Sequence, residues 1–283
     1  MQRLTTFLVF LVTACITTVS AYAGSQYMLM ASPLRVIFDD RHRAEQMTIV
    51  NISEEEVHYA ISIVNLHDKE GKRVVATDET EQEQIVRKMI RFSPRRATIG
   101  PKEHQVVKLM VRKPKDLPPG EYITHLQITP VPKDKKDKKE ASGEALKIDL
   151  DVIVSTRFPI IIQHELPPAE VTPTAFTVQK TEEYGNVALV TLSREGQLSS
   201  FGNVYLFYVP KNSNQQTKRV GLAQGIAIYQ PKKQQQSIIS LKDITEQELQ
   251  SGSIRVQYTP SRGVAEKRPG KKQTTTRDFP LGS

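Results

Sequence analysis

Six histidines, one cysteine and 31 acidic residues are the first groups to weigh for metal binding or catalysis in this 283-residue chain. His42, His58, His67, His104, His125 and His164 stand at no spacing that metal sites use. Asp39-Asp40-Arg41-His42 offers cation ligands, but a charged turn after a strand accounts for it better. No Gly-x-Ser-x-Gly elbow occurs. Pro269-Gly270-Lys271-Lys272 fails as a phosphate loop, because Ala265 and Lys272 stand where Gly and Ser or Thr belong. No nucleophile, base and orienting group present themselves as a set. A binding protein is therefore expected rather than an enzyme, with no cofactor, metal or small-molecule substrate.

Cys15 is the only cysteine, and it lies in an N-terminal apolar run. Met1-Gln2-Arg3, the apolar stretch Leu4 to Val19 and Ala21-Tyr22-Ala23 together read as a signal peptide, residues 1–23. Two alternatives remain open: an uncleaved anchor, and a lipoprotein box at Val12-Thr13-Ala14-Cys15 that would leave a lipid on Cys15. Cleavage after Ala23 leaves no thiol, hence no disulfide in a compartment where one would form. The net charge is +8. Much of it falls in residues 262–283, where Arg262, Lys267, Arg268, Lys271, Lys272 and Arg277 lead to the expectation of a basic flexible tail. Nucleic-acid binding would need aromatic platforms beside that charge, and the segment has only Phe279.

The elements that would position any site are strands. Leu34–Phe38, Gln46–Asn51, Val57–Ile63, Ala97–Ile99, Gln105–Val111 and Glu121–Thr129 are short and divided by Gly, Pro and Asp turns. In the last of them Tyr122, Thr124, Leu126 and Ile128 share a face. Asp78 to Met89 suits a short helix or an irregular loop. The pattern resumes after Leu166-Pro167-Pro168-Ala169 with six further strands, and Ile244 to Leu249 suits one helical turn. The expected fold class is all-β: an N-terminal sandwich over 24–163 and a second over 164–261.

ALKIDLDVIV, Ala145 to Val154, follows a loop that is nearly all charge, Lys133 to Glu140. Leu146, Ile148, Leu150, Val152 and Val154 recur at every second residue. Such a row ordinarily lies on its own core. A strand at a sheet edge can instead offer its hydrogen bonds and side chains to another chain.

Ser32-Pro33-Leu34-Arg35-Val36-Ile37-Phe38-Asp39 resembles the first strand of periplasmic pilus-assembly chaperones, the PapD-like family of the chaperone–usher pathway. The resemblance continues through Met47 to Ser53, Phe92 to Leu109 and Leu117 to Tyr122, in order and spacing, over most of residues 32–162. It implies two immunoglobulin-like domains in an L-shaped arrangement and a non-enzymatic periplasmic protein. Its partners would be pilus or fimbrial subunits and an outer-membrane usher. It implies that Leu146, Ile148, Leu150, Val152 and Val154 form a donor strand that fills the groove of a subunit lacking its last strand. It also implies a clamp on the subunit's C-terminal carboxylate, formed by an Arg of the first strand and a Lys at the end of the donor strand. Arg35 matches the first; Pro159 aligns with the second, and Arg157 is the nearest cation. A self-capping dimer of the free protein stays open. So does the alternative of an immunoglobulin-like structural or adhesive envelope protein, lipid-anchored through Cys15.

Overall fold

The computed structural model describes residues 28–132, 153–212, 215–261 and 274–282. The expected signal peptide, the lysine-rich loop and four donor residues (Leu146, Ile148, Leu150, Val152) lie outside the described residues. In chain order the first half holds β1 (Leu29–Ser32), β2 (Val36–Phe38), β3 (Ala44–Asn51), β4 (Val57–Val64), β5 (Leu66–Lys69), β6 (Lys72–Val75), α1 (Glu81–Met89), β7 (Ile90–Ser93), β8 (Arg96–Ile99), β9 (His104–Val111), β10 (Gly120–Val131) and β11 (Thr156–His164). The second half holds β12 (Glu170–Thr181), β13 (Gly185–Glu195), β14 (Ser200–Val209), β15 (Lys218–Ile228), β16 (Gln234–Ser240), α2 (Glu246–Leu249), β17 (Ser253–Pro260) and β18 (Thr275–Pro280).

The fold is all-β, as the strand pattern requires. Sheets β1-β3-β9-β7 and β2-β11-β10-β4-β8 close on one core, and β12-β13-β16 and β15-β14-β17-β18 on another. Strand β10 shows why. Tyr122, Thr124, Leu126 and Ile128 are all buried, while Glu121, Ile123, His125 and Gln127 face outward. The Tyr122 hydroxyl donates to the Pro118 carbonyl at 2.6 Å, the corner bond that ties this strand to its preceding loop in immunoglobulin-like sandwiches. Asn51 is fully buried and does similar work at the end of β3. Its amide donates to the carbonyls of Glu55, Ile99 and Gly100, and its carbonyl oxygen accepts from Ser53.

The segment open between helix and loop is helical. Thr80 caps α1 in a reciprocal box with Glu83, and Val86 and Met89 enter the first core. The flexible tail expected over 262–283 is corrected at its far end. Thr275–Pro280 form β18, which adds to the second sandwich beside β17. Register opposes Arg255 to Asp278, whose carboxylate takes two guanidinium bonds at 2.8 and 2.9 Å. Phe279 stacks on Phe176, with centroids 5.8 Å apart. Two aromatic rings and a cross-strand ion pair outweigh a basic composition. The second sandwich therefore ends at Pro280 rather than at 261, and the change of sandwich falls between His164 and Glu170.

Between the sandwiches lies a third, small apolar cluster. Ile37 of β2 and Ile161 of β11 meet Phe201 of β14, flanked by Ala227 and Tyr229. Glu121 binds across the same seam. It accepts from the Ser199 backbone N–H at 2.9 Å, from the Ser199 hydroxyl, and from Gln163 at 3.1 Å. The connection itself is clamped by Asp40, which accepts from Lys113 Nζ at 2.6 Å and from the Glu165 N–H at 3.0 Å.

Candidate functional site

Strands β2 and β11 run parallel, with Val36 beside Ile160 and Phe38 beside Ile162. Those even-numbered residues, with Phe158, fill the first core. Arg35, Ile37, Arg157, Pro159 and Ile161 alternate with them and so fall on the opposite face, which the second sandwich approaches. Arg35 reaches across. Its guanidinium donates to the Gly225 carbonyl at 3.0 Å and lies 4.9 Å from the Phe201 ring centroid. Among the described residues the guanidinium makes no second hydrogen bond. Arg157 stays on its own sheet, donating from Nε to Gln127 at 2.7 Å. The two arginines named from the sequence thus share a sheet face but, among the described residues, no partner.

Two residues not singled out in the sequence border this face, one on the sheet itself and one from the second sandwich. His125 on β10 is half-buried, and its Nδ1 is shut off from solvent with no hydrogen-bond partner among the described residues. Burial, and then the charges of Arg73 and Arg157, pull its pKa down to about 4. Tyr229 stands edge-on to Phe201 at 5.4 Å. Burial raises its pKa, and the positive charges of Arg35 and Arg73 oppose that rise. Arg35 and Arg157 put positive charge on this partly desolvated cleft, Glu121 of β10 brings a carboxylate to the same face, and the charge of Arg73 is felt at both His125 and Tyr229. Among the described residues none of the three arginines makes an ion pair. An anion with two oxygens, such as a carboxylate, is the chemical complement of such a cleft. His125 was detectable from the alternation of β10 alone, as an outward residue between Leu126 and Thr124. Arg73 carried no signal, because its place follows from the fold of the β5–β6 hairpin.

The edge of β11 is the second component. Strand β2 covers it only over Ile160–Ile162, so Thr156 to Pro159 pair with β10 alone. Pro159 sits one residue beyond that cover. A residue with no N–H is tolerated at an open sheet edge and not between two strands. Upstream, Val154 is 53% exposed and lies outside the first core. It borders a cavity of about 260 Å³ at the end of the sandwich, together with Met28, Leu29, Ile52, Tyr59 and Ile128. The last β10–β11 pair is Ile128 with Thr156, so Val154 stands where β11 has left the ladder. In the sequence, Val154 continues the even-numbered row that ends in Phe158, Ile160 and Ile162.

The Asp39–His42 turn explains itself without a ligand. Asp39 accepts the N–H groups of Arg41 at 2.8 Å and His42 at 2.7 Å, and meets the His42 ring at 2.9 Å. Among the described residues no three metal-binding side chains gather.

No protein-family model matches the chain, and no curated protein matches it. Solved structures do resemble it at the level of fold, many of them fimbrial periplasmic chaperones. The Pseudomonas aeruginosa CupB2 chaperone is 16% identical, with a TM-score of 0.40, over 89% of this chain and 100% of that one. The E. coli chaperone DraB is 10% identical, with a TM-score of 0.43, over 90% of this chain and 96% of that one. A chain of the Salmonella enterica complex of the SafA pilin with the SafB chaperone is 11% identical, with a TM-score of 0.41, over 91% of this chain and 99% of that one.

Proposed function

We propose that the protein is an exported, non-enzymatic chaperone. It holds a pilus or fimbrial subunit by lending it a strand, and delivers that subunit to an outer-membrane usher. The observation that carries the proposal is Arg35. The residue that the sequence resemblance nominates as carboxylate anchor stands in the cleft between the sandwiches, tied to Gly225 and stacked on Phe201, with no carboxylate of its own among the described residues. The subunit's terminal carboxylate would dock there and fix the register in which its groove meets the edge of β11. The row Leu146, Ile148, Leu150, Val152 and Val154 would then fill that groove. Burying four or five such side chains releases on the order of 10 kcal/mol before ordering costs. An unfilled groove has both an open core and an orphan edge, and the donated strand covers both.

Co-expression with a groove-bearing subunit, followed by purification from the periplasm, tests the proposal. Ile148→Asp with Leu150→Asp abolishes recovery of the complex while the free protein keeps its unfolding midpoint. Loss of the free protein's own stability instead would assign the row to its own core. Arg35→Glu weakens recovery at least about tenfold more than Arg41→Glu does; equal effects would remove the anchor.

A further inference from the structure

We propose that the outward face of the sheet β1-β3-β9-β7 is a docking surface for an anionic lipid bilayer, on which the protein lies without crossing it. The face is on the far side of the first core from β11, so a bilayer there leaves the open edge of β11 uncovered.

An antiparallel sheet with one face in water ordinarily carries polar residues on that face. The inward residues of this sheet, Met47, Ile49, Val107 and Leu109 among them, fill the first core as expected. The outward ones depart from the rule. Register sets Met30 of β1 beside Val50 of β3, and Ala44 of β3 beside Met110 of β9. Val106 lies between these rows, opposite Thr48. Met30 is 60% exposed and Met110 58%. Apolar side chains set side by side across strands mark an interaction surface, where a single exposed one would not. Methionine is flexible and polarisable, which suits a partner with no fixed shape.

The charge on the face has one sign. Arg91 of β7 lies opposite Met110, and Lys108 of β9 lies opposite Gln46 and Ser93. Arg112 keeps the same phase two residues past Met110, because its N–H continues the ladder onto the Met89 carbonyl at 2.9 Å. All three are exposed, and among the described residues none makes an ion pair. Arg91 folds back on the carbonyls of Lys88 and Ile90, which leaves its charge uncancelled. The one acid in the four strands is Glu45, and it shares the inward phase of Met47 and Ile49. Unopposed cations call for anions, and the methionines beside them call for hydrocarbon. The lipid interface offers both at one depth, and long basic side chains reach its phosphates while their stems stay in apolar contact.

Sedimentation with lipid vesicles, using protein recovered from the periplasm, tests the proposal. Wild type pellets with vesicles of equal parts phosphatidylcholine and phosphatidylglycerol, and not with phosphatidylcholine alone. Lys108→Gln with Arg112→Gln lowers the partition coefficient about twentyfold, at about fivefold for each cation near the surface. Lys72→Gln with Lys242→Gln removes the same charge elsewhere and lowers it less than about threefold. Met30→Ser with Met110→Ser lowers it about fivefold, and this loss persists in high salt, where the loss from the charge pair fades. All six substituted residues are exposed, so the urea midpoints stay at the wild-type value. Equal losses from the two charge pairs would mean that net charge alone draws the protein to the vesicles, and would overturn the face. Failure to pellet with the mixed vesicles would overturn the lipid. Retention on immobilised polyglutamate through Lys108 and Arg112 would in that case give the face to an acidic polypeptide instead.

Discussion

Asn51 and His125 show how much depends on single buried polar groups. Removing the Asn51 amide takes a donor from three carbonyls, of which Glu55 keeps the Ser53 hydroxyl and Gly100 keeps the Glu103 N–H, and takes the acceptor from Ser53, at about 1–3 kcal/mol for a buried group that loses its partner. Asn51→Ala is expected to lower the unfolding free energy by about 3 kcal/mol, read as a fall in the urea midpoint at unchanged slope. His125 predicts a pH dependence. Its folded pKa is about 4 against 6.5 for the free side chain, so between those values the unfolded chain binds the extra proton. Stability is then complete above pH 6.5 and falls as the pH drops toward 4, by about 2 kcal/mol for this group. His125→Gln flattens that slope in pH-dependent urea melts. Asp40 acts in a lower window. Lys113, then His164 and the Glu165 N–H, hold its carboxyl well below the usual range, so its contribution begins to fade only as the pH falls through about 3.8. The sequence named Arg35 through its neighbours in β2. Its contacts with Phe201 and Gly225 could not be read, because nothing local in the chain couples residues so far apart.

At the level of elements, period-two alternation carried most of what was legible. The buried faces of β4 and β10 follow the alternation, Val57, Tyr59 and Ile61 on one and Tyr122, Thr124, Leu126 and Ile128 on the other, since a strand has no third choice of face. Strand β18 was missed because its partner is the distant Arg255 and its composition is that of a solvated end. Ending the chain at Ser261 removes the Phe176–Phe279 stack and the Arg255–Asp278 pair and leaves β17 as an edge. The expected result is a loss of about 2–4 kcal/mol from the second sandwich, and earlier proteolysis there than in the first. Gly202 is another point where one element constrains its neighbour. A Cβ on it would run into the Tyr258 ring, so Gly202→Ala displaces that buried ring and its bond to Ser200. A destabilisation of about 2 kcal/mol is expected, measured by thermal unfolding.

For the whole molecule, the seam is small and polar at its margin. Arg194 is buried and spends its guanidinium on the carbonyls of Gly196, Leu198 and Lys232, which shapes the loop that presents Ser199 to Glu121. Glu121→Ala cuts that tie while leaving both cores untouched. Calorimetry should then resolve two unfolding transitions where the intact seam couples them, and recovery of the subunit complex should fall because Arg35 depends on the same alignment. Neither outcome was legible in the sequence, where the two halves show only the same strand rhythm.

The even-numbered row that runs from Leu146 through Val154 into Phe158, Ile160 and Ile162 works like a reading frame. One phase serves two hydrophobic interiors in turn, the protein's own and, on the proposed function, that of its client. A single residue inserted between Val154 and Thr156 would leave the downstream frame in place and invert everything before it. The free protein would melt normally and fail to hold a client, and a second inserted residue would restore the phase at the cost of a shifted register. The carboxylate clamp would then be out of step by one pleat, so the position of the clamp along the strand, and not only its charge, selects which client groove fits.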